Sequence, residues 1–224
     1  MDHRDKYFKY RIKMSLIRGK RGMYGGNSGR DISNSEKENT SCNVSFHNDG
    51  GKFYMVLVGE INDHASMKLK MFSLEIQERV KKKRVKNPEF IIHICSGGGS
   101  VFSGLSMYNT IMDMNKSGVS TCSVSDGLVG SSATYPYLAC DKRKSHENDR
   151  FLFHLPTTNQ YGKFKADELK EDMKNMDGIL DSMKSIYLKR TKGKMGTSVI
   201  RNQMKNELWV SAEQCRKWGV VNHV

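Results

Sequence analysis

From Lys52 onward, short apolar runs alternate with amphipathic stretches. Phe53-Tyr54-Met55-Val56-Leu57-Val58, ended by Gly59, has the unbroken apolar character of a buried strand. Asn62-Asp63 stands where a helix N-cap is wanted. A helix is expected after it over residues 65–85, with Met67, Met71, Leu74 and Glu78 along one face. The end of that helix is basic (Arg79, Lys81, Lys82, Lys83, Arg84 and Lys86), an arrangement the helix dipole favours. Residues 89–95 predict a second buried strand, which runs into Ser96-Gly97-Gly98-Gly99-Ser100 and then a helix over about residues 102–114.

A third strand is expected over residues 119–124, then a turn and a small-residue helix over 127–140. A fourth strand, Phe151-Leu152-Phe153-His154, is stopped by Pro156. A long helix over about residues 165–189 carries Leu169, Met173, Met176, Leu180, Met183 and Tyr187 as a regular stripe, a pattern of core or subunit interface. Residues 198–224 predict a short helix, a strand at 208–210 and a final helix from Ala212. Strands alternating with helices of this size predict an α/β fold with right-handed crossovers.

Residues 1–50 differ from the remainder. Ten basic and five acidic groups lie in residues 1–48, and Gly19 to Thr40 is rich in Gly, Ser and Asn. Such a segment cannot bury enough apolar surface to offset its ordering entropy. The division expected is a flexible basic arm over 1–50 and a folded domain over 51–224. The arm reads equally as an anion-binding or docking tail and as a solvated leader.

Composition adds limits. The 224 residues carry 37 Lys+Arg against 24 Asp+Glu, a net charge of +13 that permits attraction to anionic partners without saying anything about fold. There is no aromatic–basic interleaving and no recognisable nucleic-acid motif, so a nucleic-acid module is a minor reading. No run of about 18 apolar residues exists, and no membrane-spanning helix is expected. Five cysteines without a CxxC pair or zinc-like Cys/His spacing are expected as reduced thiols in the cytoplasm.

Three stretches could carry chemistry. Three consecutive glycines between a strand and a helix let backbone N–H groups approach a ligand, as a phosphate cradle or as an oxyanion site. GxGxxG spacing and a Walker lysine are both missing. Gly127-Leu128-Val129-Gly130-Ser131-Ser132-Ala133 follows a strand and starts a helix, so a serine there is either an N-cap or an exposed nucleophile. His154 at a strand end is either a packed residue or a base for that serine.

Taken in order, these stretches resemble the Clp protease proteolytic subunit (ClpP) family over about residues 53–223. Val58-Gly59-Glu60-Ile61-Asn62-Asp63-His64 is similar to the family's "TGxVxDH". Ile94-Cys95-Ser96-Gly97-Gly98-Gly99, with Gly104 and Ser106-Met107-Tyr108-Asn109-Thr110, resembles "INSPGG…G…SIYDTM". Gly127 to Ala133 resembles "GxAASMGA", Arg150 to Pro156 resembles "RxMIHQP", and Leu208 to Glu213 with Gly219-Val220-Val221 resembles "RFLSAxEAxxYGLVD".

The resemblance implies a crotonase-like ClpP fold: stacked strands with flanking helices and a protruding handle helix, the striped one. It implies a serine endopeptidase with Ser131 as nucleophile and His154 as general base. The backbone N–H groups of Gly99 and Ser132 would form the oxyanion hole, and residues 156–164 would be the hinge beside the substrate. It further implies heptameric rings of identical subunits, stacked in pairs around a chamber. An AAA+ unfoldase partner would spend ATP to feed it unfolded protein, the subunit itself taking no metal or nucleotide.

Four departures from the family pattern stand out. The acidic position of the triad falls on Glu207, beside Asn206, where the family has aspartate. Gly97 replaces proline, Ser131-Ser132 replaces Ser-Met, and the family's axial-loop motif is not recognisable in residues 1–48. They motivate an alternative: a structural subunit with weak or no catalysis that assembles with an active paralogue.

Overall fold

The computed structural model describes residues 42–157 and 166–223, side chains of residues 166–170 excepted. Residues 1–41, most of the expected basic arm, lie outside the described residues, as do residues 158–164 of the expected hinge.

The sheet begins inside the segment that composition assigns to the arm. Strand β1 (Cys42–Asp49) pairs antiparallel with β2 (Lys52–Gly59). Polar residues alternate there with Cys42, Val44 and Phe46, which pack against the core, and the Phe46 ring lies 4.3 Å from that of Phe72. Period-two alternation is the signature of a strand with one buried face, and its polar half masks it in the sequence. The connection is the two-residue loop Gly50-Gly51, with φ of +54° and +101°. Positive φ at both central residues is what a tight hairpin turn of the primed type demands.

The remaining strands are β3 (Glu89–Ser96), β4 (Ser120–Gly130), β5 (Lys142–Ser145), β6 (Arg150–Phe153) and β7 (Leu208–Ser211). Their order is β1-β2-β3-β4-β6-β7, with β5 also paired to β4. The inner pairs β2–β3, β3–β4 and β4–β6 are parallel, and the outer pairs β1–β2 and β6–β7 are antiparallel. Helices α1 (Asp63–Lys81) and α2 (Val101–Lys116) form the parallel crossovers. They are followed by α3 (Thr134–Ala139), α4 (Ala166–Arg190), a π-helical turn (Val199–Gln203) and α5 (Ala212–Lys217). The α/β class is as expected. Strand β5 is an addition to the expected set, because its lysines and arginine hide the strand pattern.

Helix α1 starts where the sequence puts it, the Asn62 side chain accepting from the Ala65 N–H at 3.0 Å. Ala65, Leu69 and Ile76 face the core, whereas Met67, Met71 and Leu74 are 58%, 65% and 51% exposed. The methionine-bearing face thus points outwards. On α4 the apolar stripe divides: Met183 and Tyr187 are buried and Met173 is 71% exposed.

Two guanidinium groups tie the C-terminal ends together. Arg143 is buried and donates to the carbonyls of Val220, Cys140, Arg190 and Gly219 at 2.8–3.1 Å. Arg190 donates to the carbonyls of Leu138, Ala139 and Cys140. A fixed planar fork of donors suits these orphan carbonyls at the end of α3, which a flexible ammonium would not match.

Candidate active site

Four strand ends meet at one edge of the sheet. β3 ends at Ser96 and releases Gly97 to Gly99; β4 ends at Gly130, directly before Ser131. In the parallel β4–β6 ladder Gly130 pairs with Leu152, which brings Ser131 and His154 to neighbouring strand ends. In the antiparallel β6–β7 ladder Phe153 pairs with Leu208, so His154 and Glu207 are the residues directly beyond the last pair, after which the register shifts and Leu155 N–H donates to Met204 O at 2.9 Å. Open α/β sheets bind ligands at the carboxyl ends of their parallel strands, and here that edge carries a serine, a histidine and a carboxylate in spatial order.

Ser131 has φ of +51°, a left-handed conformation unusual for a residue with a side chain. It occupies the sharp junction between β4 and a 3-10 turn, Ser131–Ala133. A strained strand-to-helix junction projects a side chain out of the sheet edge. Gly98 makes the junction possible. A Cβ at Gly98 would lie 2.5 Å from Ser131 Cβ and 2.9 Å from the Gly130 carbonyl oxygen, so only glycine fits. A Cβ at Gly99 would fall 2.3 Å from the Ile61 oxygen.

The glycine loop is also held by its backbone. Ile61 N–H donates to Gly98 O at 2.9 Å, and Ser100 N–H donates to Ile61 O at 2.8 Å. Because the peptide is trans, the Gly98 carbonyl and the Gly99 N–H point in opposite directions. The Gly99 N–H is therefore turned away from the Ile61 backbone, while the loop rests on Ser131.

The sequence leaves two adjacent hydroxyls, and their surroundings separate them. Ser132 is 2% exposed, and its buried Oγ has no hydrogen-bond partner among the described residues. It lies against α2, where a Cβ on Gly104 would come 3.1 Å from Ser132 Cβ. Ser131 is half-buried beside the glycine loop. Thr134 Oγ1 donates to Ser131 O at 2.6 Å and also bonds Tyr187 Oη at 2.7 Å. Tyr187 is buried, which pushes its phenol far above the ordinary tyrosine range and keeps it neutral. The turn is thus anchored to α4 by two residues, Thr134 and Tyr187, that sequence reasoning missed. The apolar stripe puts Tyr187 in a core and gives no hint of its hydroxyl's partner.

His154 Nδ1 lies 2.7 Å from the Leu155 carbonyl oxygen. A carbonyl only accepts, so Nδ1 carries the proton and a neutral ring keeps its lone pair on Nε2. Glu207 is exposed and its Oε2 accepts from Trp209 Nε1 at 3.2 Å. Among the described residues no hydrogen bond joins Ser131 to His154 or His154 to Glu207. The strands set the three residues at adjacent strand ends, and the side chains of His154 and Glu207 are turned to Leu155 and Trp209. Asn206 is exposed on the turn before Glu207.

His93, which alternates within β3, is not part of this edge. Its Nδ1 is paired with Asp126 at 3.1 Å, and His146 Nε2 approaches the same carboxylate at 3.8 Å.

Comparisons with known proteins agree with this architecture. The family model for Clp protease matches residues 48–224. The chain is 28% identical over 172 residues to an ATP-dependent Clp protease proteolytic subunit of Pleurastrum terricola, covering 76% of this chain and 82% of that one. It is 28% identical over 141 residues to the protein of the same description from Chaetosphaeridium globosum, covering 62% and 67%. Among solved structures, a point mutant of ClpP1 from Listeria monocytogenes superposes with a TM-score of 0.63 at 22% identity, covering 76% of this chain and 89% of that one. The sheet with its flanking helices is thus the ClpP fold, and the chain belongs to the Clp protease family as a divergent ClpP member.

Proposed function

We propose that this chain is a serine endopeptidase subunit that hydrolyses peptide bonds of unfolded proteins inside a ring-shaped chamber. The observation that carries the reading is the alignment of Ser131, His154 and Glu207 on the adjacent ends of β4, β6 and β7, with Ser131 held at positive φ against Gly98.

In this reading Ser131 Oγ attacks the scissile carbonyl. His154 Nε2, whose lone pair is kept free by the Nδ1–H bond to Leu155, takes the serine proton and returns it to the leaving amine. The Gly99 and Ser132 N–H groups receive the oxyanion, and losing one such donor typically costs about 2.7–4 kcal/mol of barrier stabilisation. Water then hydrolyses the acyl-enzyme by the same route. Glu207 swings from Trp209 to the imidazole as the ring becomes cationic. Identical subunits form heptameric rings stacked in pairs, and an AAA+ unfoldase spends the ATP. The exposed Met67, Met71 and Leu74 of α1 and Met173 of α4 are apolar surface that such neighbours would cover.

A second reading has its own observation. Glu207 is engaged by Trp209 and the His154 Nδ1–H by Leu155, the arrangement of a subunit that assembles but cuts poorly beside an active paralogue. Peptide hydrolysis by the purified homo-oligomer separates the two. Turnover that Ser131→Ala abolishes supports the peptidase. An inert homo-oligomer that Glu207→Asp activates supports the structural subunit.

A further inference from the structure

We propose that Asp149 is a positioning residue that locks the register between the strand carrying Ser131 and the strand carrying His154. The inference rests on the peptidase reading above and adds a residue to it.

The need for such a lock follows from an irregularity in β4. Ile94 pairs with Ser125 and Ser96 pairs with Val129, so β4 spends four residues where β3 spends two. The two extra residues fall within Asp126-Gly127-Leu128. At the same place β4 changes its other neighbour. It pairs with β5 as far as Ser125 and with β6 only from Leu128. Asp126 and Gly127 therefore lie where neither side offers a regular ladder, and Gly127 has φ of +105°. A strand with such a gap has no backbone device of its own to fix how far its remaining residues reach.

Asp149 closes that gap. The β4–β6 register pairs Leu128 with Arg150, so Asp149 is the position opposite Gly127. Its carboxylate is 4% exposed and accepts two backbone N–H groups: Gly127 at 2.9 Å through Oδ1 and His146 at 2.8 Å through Oδ2. The first bond extends the ladder by one rung past its last backbone pair. The second ties the same carboxylate to the turn leaving β5. Ser131 lies four residues after Gly127, and His154 five residues after Asp149.

A slip of one residue along a strand displaces everything beyond it by about 3.3 Å. A serine and its base must come within about 2.6–3.2 Å of each other, so such a slip separates them. Asp149 acts on this pair through the backbone, from the far side of the β4–β6 ladder.

The test compares Asp149→Asn with Asn222→Ala in the assembled protein. Asn replaces one acceptor by an N–H₂ group that meets a backbone donor. Asn222→Ala removes two hydrogen bonds of similar length, to Arg143 and Asp141, at the other end of the sheet. Amide-resolved hydrogen exchange at Gly127 and peptidase kinetics are read on both, well below the melting temperature. The lock predicts at least tenfold faster exchange at Gly127 in Asp149→Asn, and kcat reduced at least tenfold with KM within about twofold. Asn222→Ala leaves both nearly unchanged. Unaltered Gly127 exchange, or an equal loss of kcat in both variants, overturns the proposal. Were the wild-type chain itself inert, the peptidase reading would fail, and Gly127 exchange alone would decide the register lock.

Discussion

His154 and Glu207 each lie directly beyond the last pair of the β6–β7 ladder, Phe153 with Leu208, yet the imidazole donates to Leu155 O and the carboxylate accepts from the Trp209 indole. The ladder sets the position of both residues, and local hydrogen bonds set where their side chains point. Strand pairing is cooperative and hard to shift, whereas a rotamer change on an exposed glutamate is small in energy. On the proposed peptidase reading, the step from this arrangement to a triad is a rearrangement of these two side chains.

Trp209 holds the Glu207 carboxylate away from the ring. Trp209→Phe keeps the aromatic contact and removes the N–H donor. The expected outcome is an increase of several-fold in the rate at which a serine-reactive probe labels the protein. Glu207→Gln should lower that rate by about 100-fold, because an amide stabilises an imidazolium poorly. Equal rates in Glu207→Gln and wild type would remove Glu207 from the account.

Much of the frame is legible in the sequence. Unbroken apolar runs mark β2, β3 and β6, although in β2 and β3 only alternate residues (Phe53, Met55, Leu57 and Phe90, Ile92, Ile94) are buried and Tyr54, Val56 and Ile91 lie on the more open face. The same logic fails for β1 and β5. Each lies at a margin with polar or charged residues on its outer positions, so only half of the pattern survives in Cys42-Asn43-Val44-Ser45-Phe46 and in Lys142-Arg143-Lys144-Ser145. The candidates Ser131, His154 and Glu207 are proposed from their place in motifs. Thr134, Tyr187 and Asp149 are not, because what matters about them is a partner 22 or 53 residues away in sequence, and no local pattern records that.

Gly98 carries a sharp expectation. Its φ of +107° and the 2.5 Å that would separate its Cβ from Ser131 Cβ leave no room for alanine. The obstructing atoms are backbone and a β-carbon, so nothing flexible can yield. Gly98→Ala should cost about 1–3 kcal/mol in stability and reduce labelling of Ser131 by about 100-fold. Thermal unfolding and probe kinetics on one preparation check both.

Thr134 links the serine turn to α4 through Ser131 O and Tyr187 Oη. Thr134→Val keeps shape and volume and removes the hydroxyl. A buried phenol and a carbonyl then each lose a partner, at about 1–3 kcal/mol for a group left unsatisfied. Melting should fall by several degrees. Tyr187→Phe in the Thr134→Val background should recover part of the loss, since it removes the orphaned hydroxyl.

Alkaline pH should loosen the fold through Cys140. Complete burial pushes its thiol up to about 12, from an ordinary value of 9.0. The folded state thus holds its proton more tightly than the unfolded chain. The stability this brings is fully present below pH 9 and is lost as pH rises from 9 towards 12. Urea midpoints measured from about pH 7 to 11 should fall above the ordinary thiol value, and Cys140→Ala should flatten that fall. In the native state near neutral pH, Cys140 should not react with thiol reagents until urea unfolds the chain.

The most direct measurement is labelling of the assembled protein with a fluorophosphonate probe, followed by mapping of the modified residue. Such probes report a serine whose base and oxyanion donors are aligned, with no need to know the substrate. The account predicts a single adduct on Ser131, absent in Ser131→Ala and strongly slowed in His154→Ala. An assembled, folded protein that takes up no label, or one modified at Ser132 with Ser131 untouched, would contradict it.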